Sequence, residues 1–314
     1  MKAKWTADQI PDQQGRTAVV TGANSGLGLI CARELARAGA RVIVASRIAA
    51  RGATAVGIIK AAHPAADVEA AQLDLADLAS VRAFAQWFLA GRKSLDLLVN
   101  NAGVMAAPYK RTVDGFEMQF GTNHLGHFAL TALLMPALNR KLGTRVVTVS
   151  SNNHKAGQIR FDDLQGERRY SRWGAYAQSK LANLLFALEL ERRLKAAALP
   201  MISVAAHPGY SATNLQLSGP PMRERIFMIL ANRFIAQSAE TGALPILYAA
   251  TYPDLPGGSY VGPDGPGEMR GYPALVQPTD RAKDVAAAQR LWSISEKLTG
   301  VRFDPLAPEG PNFR

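Results

Sequence analysis

A single cysteine, Cys31, occurs among 314 residues. One thiol closes no internal disulfide and has no partner for a metal site, so nothing in the chain demands an oxidising compartment. Long hydrophobic runs are missing too, since no stretch reaches the ~18 uninterrupted apolar residues of a membrane helix. Residues 1–14 are polar rather than signal-like. Neither a membrane span nor secretion is expected, and the expected location is cytoplasmic. Acidic residues are in deficit, 25 against 36 lysines and arginines, which leaves a formal charge of +11. The excess suits an anionic ligand. It is spread along the chain without a nucleic-acid motif, so nucleic acid is not an expected partner. No solenoid repeat, low-complexity tract or linker interrupts the sequence, and residues 1–314 read as one domain. With 48% hydrophobic and 19% charged residues, there is ample material for a core.

What is present begins with Thr17-Ala-Val-Val-Thr21, a β-type run, followed by Gly22-Ala-Asn-Ser-Gly26-Leu-Gly28 and a helical pattern. A strand, a glycine turn and a helix start form a phosphate cradle: glycine lets a backbone approach, and the helix end offers free N–H groups. Gly22, Asn24, Ser25, Gly26, Leu27 and Gly28 are the candidate contacts. Their spacing differs from the usual G-x-G-x-x-G, and a plain tight turn is the competing reading. Cys31 reads as core packing on this helix. A second strand, residues 41–46, ends in Ser46 and Arg47. Here an acidic residue would bind a ribose 2′-hydroxyl and an arginine a 2′-phosphate, so NADP(H) is preferred over NAD(H). A merely solvated arginine is the alternative.

Asp74-Leu75 follows a third strand and is placed to touch an adenine, and Asn100-Asn101-Ala102-Gly103 follows a fourth. Strands alternating with helices imply an α/β fold, a doubly wound parallel sheet of about seven strands with helices on both faces and ligands at the carboxyl ends. The helical stretch 118–138 carries Asn123 with His124 and His127. Two histidines without a carboxylate or cysteine make a poor metal site, and no metal is expected. Asn123 would bend the helix or hold a water. A fifth strand delivers Ser150 and Ser151.

Tyr176-Ala-Gln-Ser-Lys180 then puts a phenol and an ammonium four residues apart on one helix face. Using the phenol near neutrality means moving it about three pH units, roughly 4 kcal/mol. A unit charge at ~4 Å with an effective dielectric of ~20 supplies about that. Alone, the spacing also fits a solvated helix face. After a sixth strand come Pro208, Gly209 and Thr213, the last placed to bond a cofactor amide or phosphate. Within 215–240, the segment 218–236 reads as a substrate lid, with core packing or a membrane-surface helix as alternatives. Residues 253–314 form a C-terminal extension: a Gly- and Pro-rich run around one short strand, then a final helix over 279–299.

Taken in order, Thr21-Gly-x-x-x-Gly-x-Gly28, Asp74-Leu75, Asn100-Asn-Ala-Gly103, Asn123, Ser151, Tyr176-x-x-x-Lys180 and Pro208-Gly209 to Thr213 resemble the short-chain dehydrogenase/reductase family. Asn123-His-Leu-Gly-His-Phe128, Val149-Ser-Ser-Asn-Asn-His154, Phe161-Asp-Asp-Leu164 and Leu181-Ala-Asn-Leu-Leu-Phe186 look most like its branch of retinol dehydrogenases and protochlorophyllide reductases. The resemblance implies a Rossmann-type fold, NADP preference, a lipophilic alcohol or carbonyl substrate, and a homodimer or tetramer. It implies that Ser151 bonds the substrate oxygen, Tyr176 transfers the proton, Lys180 lowers its pKa and holds the nicotinamide ribose, and Asn123 positions a relay water. The chain departs from that branch in lacking an N-terminal anchor pattern and in its lid sequence. A non-catalytic NADP(H)-binding sensor is the alternative from another class, but a sensor needs only the cradle.

Overall fold

The computed structural model describes residues 4–91, 94–138, 141–210 and 237–303. Its apolar, β-branched runs form β1 Thr17–Thr21, β2 Arg41–Ser46, β3 Val68–Gln72, β4 Leu97–Asn100, β5 Arg145–Val149, β6 Ile202–Ala206 and β7 Tyr260–Pro263. Between them lie α1 Gly26–Arg37, α2 Ala49–Ala62, α3 Leu78–Gly91, a composite α4, α5 Arg172–Ala196 and α6 Ala239–Thr251. All these strands pair in parallel, in the order β3-β2-β1-β4-β5-β6-β7. The order reverses between β1 and β4, which opens a crevice at their carboxyl ends.

Adjacent residues of the central strands enter different cores. Val20, Val42 and Val99 pack with Leu35 and Ile59 on one face. Val19, Ile43 and Leu98 pack with Phe88 and Phe128 on the other. Burial on both faces is why these strands read as unbroken apolar runs. An eighth strand, β8 Pro273–Leu275, pairs antiparallel with β7. It adds one to the seven or so expected, since three residues are too short for any alternation to show in the sequence.

The composite α4 runs as Met118–Phe120, a π-helical Gly121–Leu125 and Gly126–Leu134. The sequence pattern had carried this helix to residue 138. The expected final helix is also interrupted, into α7 Asp280–Lys283 and α8 Val285–Thr299, because the Asp284 carboxylate caps the second piece by accepting from Ala287 N at 2.9 Å. Residues 175–187 of α5 are buried on every side, since α8 covers the side turned away from the sheet. Among the described residues no helix is long and apolar enough to cross a membrane. Thr213, the 218–236 lid segment and residues 304–314 lie outside the described residues.

Candidate active site

The cradle is assembled by one hydroxyl. Thr21 Oγ1, at the end of β1, accepts the N–H groups of Asn101 and Ala102, each at 2.9 Å, while Asn101 Nδ2 donates to Thr21 O at 2.8 Å. This fastens the ends of β1 and β4 together beside the crevice. Gly22 turns the chain with φ +66°, and a Cβ there would lie 3.0 Å from Ala102. A Cβ on Gly28 would lie 2.6 Å from both Asn101 Nδ2 and Gly22 O, so the first turn of α1 rests directly on the glycine turn. Ser25 makes no side-chain cap. The first-turn N–H groups of α1 therefore remain available to an anion, and these residues fit a pyrophosphate.

A single cleft of about 960 Å³ runs from this turn to α5. Gly22, Asn24, Ser25, Gly26, Leu27, Gly28, Ser46, Arg47, Asp74, Leu75, Asn101, Ala102, Gly103, Tyr176, Lys180 and Pro208 all line it. Arg51, in the first turn of α2, lines the same wall as Arg47 and was not singled out from the sequence. Its signal was present, because the first turn after a strand ending in Arg47 faces the same ligand. Asp74 shapes its turn by accepting from Ala76 N at 2.9 Å.

Two expected contacts face elsewhere. Asn100 is buried and donates to Thr131 Oγ1 at 3.0 Å, away from the cleft. Successive residues of a strand point to opposite faces, so Asn100 and Asn101 cannot both reach one ligand. Gly209, with φ +63°, packs against Met269 O and is not part of the lining.

At the other end, β5 and α5 bring the reactive groups together. The Ser151 hydroxyl lies close enough to the Tyr176 phenol to draw its pKa downward, and it accepts from Asn153 N at 3.2 Å. Lys180 lies one turn along α5, its Nζ 5.7 Å from the Tyr176 ring centroid and donating to Val149 O at 3.1 Å. Ser150 lines the cleft, which Ser151 does not, but its hydroxyl is already engaged, donating to Lys180 O at 2.8 Å. Asn123 is a staple rather than a lining residue. Its Nδ2 donates to Val104 O and to Ser179 Oγ, both at 2.9 Å, and its Oδ1 accepts from Val104 N at 2.8 Å.

The π-helical turn is held from the other side by His127. Asn123 O can only accept, so His127 Nδ1, 2.9 Å away, carries the proton. His127 Nε2 is then the acceptor for the Thr21 hydroxyl at 2.9 Å. Burial holds this ring neutral by pushing its pKa down to about 4. His124 is likewise pushed down to about 3 and bonds Ser295 Oγ at 2.9 Å. Cys31 is fully buried, as packing requires.

The electrostatics differ from what the spacing implied. Burial pushes the Tyr176 phenol up to about 12 and Lys180 down to about 8. Burial thus works against the charged form of each group, and Lys180 is not among the causes that act on Tyr176. Only the Ser151 hydroxyl acts downward on Tyr176. Desolvation, which sequence spacing does not contain, sets the direction of both shifts.

A profile of the short chain dehydrogenase family matches residues 16–223. Mouse retinol dehydrogenase 12 is 42% identical over 299 residues, covering 94% of this chain and 89% of the relative. Mouse polyprenol dehydrogenase is 43% identical over 303 residues, covering 93% and 86%. A crystal structure of an uncharacterized protein from Mycobacterium paratuberculosis is 50% identical, covers 96% of this chain and 99% of its own, and superposes with a TM-score of 0.80.

Proposed function

This chain belongs to the short-chain dehydrogenase family, and on that premise we propose that it is an NADP(H)-dependent oxidoreductase interconverting a lipophilic alcohol and its carbonyl compound. The observation that carries the proposal is the Tyr176 phenol with Lys180 one turn along, both lining the far end of a cleft that begins at the glycine turn, with the Ser151 hydroxyl close enough to act on the phenol. The cofactor supplies the hydride. The protein supplies position, a proton and an anion cradle.

Ser151 donates to the substrate oxygen and Tyr176 gives or takes the proton there. Lys180 would hold a ribose hydroxyl of the cofactor, and its positive charge would favour the ionised form of the phenol that burial holds at about 12. Asn123 keeps residue 104 and Ser179 in register around these groups. NADP preference rests on Arg47 and Arg51, two cations on the wall reached by the adenosine ribose. A lipophilic substrate is supported by Met105, Pro108 and Met118 in the lining, and by relatives named for retinol and polyprenol.

The test is NADPH oxidation with retinal, decanal, aromatic ketones and quinones. Turnover with an apolar aldehyde or ketone is expected. Tight NADPH binding with no turnover on any of them would favour the non-catalytic sensor instead.

A further inference from the structure

Behind Ser151, a turn from the C-terminal part of the chain reaches both loops that bound the reaction end. In the turn Pro266–Glu268, Gly267 and Glu268 both adopt left-handed backbone, with φ of +62° and +57°. For glycine this is ordinary, but for glutamate it is unfavourable and persists only where other contacts enforce it. The contacts are here. One Glu268 carboxylate oxygen accepts from Lys155 Nζ at 3.1 Å, and the other from His207 Nε2 at 3.1 Å. Lys155 belongs to the short helix Asn152–Ala156 that follows Ser151. From the same helix, Asn152 Nδ2 donates to Gly267 O at 2.9 Å and to Glu268 O at 3.1 Å.

The His207 arm has a defined tautomer. Gly209 N donates to His207 Nδ1 at 3.2 Å, so the ring's proton sits on Nε2 and points to Glu268. His207 is fully buried, and a Cβ on Gly262 would strike its Nε2, so β7 uses a glycine to admit the ring. Tyr210 N donates to Met269 O at 2.7 Å, one residue beyond Glu268, closing the same turn on the 208–210 loop.

We propose that Glu268 is a positioning residue for the reaction: its carboxylate spans the loop after β5, which carries Ser151, and the loop after β6, which carries Pro208, and fixes their spacing at the reaction end. The inference rests on the role given to Ser151 above. It assigns function to a residue that none of the motifs contains, through the strained backbone of that residue.

The test combines Glu268→Gly, which removes the carboxylate and relieves the backbone, with Ser151→Ala in a double-mutant cycle. Substrate is whichever of retinal or decanal turns over faster with NADPH, and Tm and the NADPH dissociation constant are measured on every variant. Glu268→Gly leaves His207 Nε2 without its acceptor, a loss the relieved backbone partly offsets, so Tm should fall by only a few degrees and NADPH affinity by less than threefold while kcat falls at least tenfold. In the Ser151→Ala background the same change should lower kcat less than threefold. Lys155→Met, which cuts one arm only, should lower kcat by an intermediate factor. An unchanged kcat in Glu268→Gly, or a tenfold loss repeated in full on Ser151→Ala, overturns the proposal. Full activity in Ser151→Ala alone would instead remove the reading on which it rests.

Discussion

Lys180 should be a residue the fold would be more stable without. Its ammonium is buried and, among the described residues, its hydrogen bond is to a carbonyl, Val149 O, rather than to a carboxylate. Burial lowers its pKa from 10.5 to about 8. At 1.36 kcal/mol per pH unit, holding the proton in the folded state at neutral pH costs about 3 kcal/mol. Replacing it with methionine keeps the volume and removes that term. The hydrogen bond lost is worth about 1 kcal/mol, and Val149 O keeps Asn183 Nδ2 as a donor at 3.0 Å. Lys180→Met should therefore be more stable than the native protein by about 2 kcal/mol at pH 7.

The sign follows from proton counting. Between pH 8 and 10.5 the unfolded chain binds the lysine proton and the folded chain does not, so native stability rises with pH across that window. The advantage of the variant should shrink over the same range and vanish near the top of it. Tyr176, raised by burial, weakens the fold as pH climbs above 10, but both proteins contain it and the difference cancels. Urea unfolding of both proteins at pH 7 and pH 10 measures the gap. A variant less stable than the native protein at pH 7, or a gap independent of pH, would refute the desolvation argument. Loss of turnover in the same variant would show that the buried charge is retained for chemistry.

Two further changes address the cradle and its ribose wall. Thr21→Val keeps the shape but leaves Ala102 N–H without its acceptor and His127 Nε2 without its donor, while Asn101 N–H keeps Val99 O at 3.0 Å. Each of these two unpaired groups costs about 1–3 kcal/mol, so the urea midpoint should fall by the equivalent of at least 2 kcal/mol, and a loss under half of that contradicts the assigned network. If Arg47 and Arg51 hold a 2′-phosphate as proposed, Arg47→Asp combined with Arg51→Ala removes charge-assisted hydrogen bonds worth roughly 1.5–3 kcal/mol each. NADPH affinity should fall at least tenfold and NADH affinity by less than threefold in fluorescence titration, whereas equal losses would place the 2′-phosphate elsewhere.

Much of the site was legible because certain residue types admit few backbone alternatives. Gly22 and Gly28 stand where a Cβ would meet backbone or the Asn101 amide, and the strand–turn–helix order put them at a sheet edge. Tyr176 and Lys180 were tied by helical geometry alone. What escaped depended on distant partners. Thr21 and His127 are 106 residues apart, and nothing local links them. Glu268 looked like part of a loop, because its partners come from other strands and its left-handed backbone is enforced by them. β8 exists only because β7 offers an open edge. Asn100 is different: strand alternation was available in the sequence and would have separated it from Asn101. The direction of the Tyr176 and Lys180 shifts depended on burial, which pair spacing does not report.

The central claim is that the Tyr176 hydroxyl carries the proton. Tyr176→Phe removes that one oxygen from a ring that stays packed beside Trp173, 6.2 Å between centroids. Single-turnover oxidation of bound NADPH by an apolar aldehyde measures its effect without product release. A rate reduced roughly 10²–10⁴-fold, the range of general acid–base catalysis, with the NADPH dissociation constant within twofold of native, is the predicted result. A phenylalanine variant that still turns over at the native rate would contradict it.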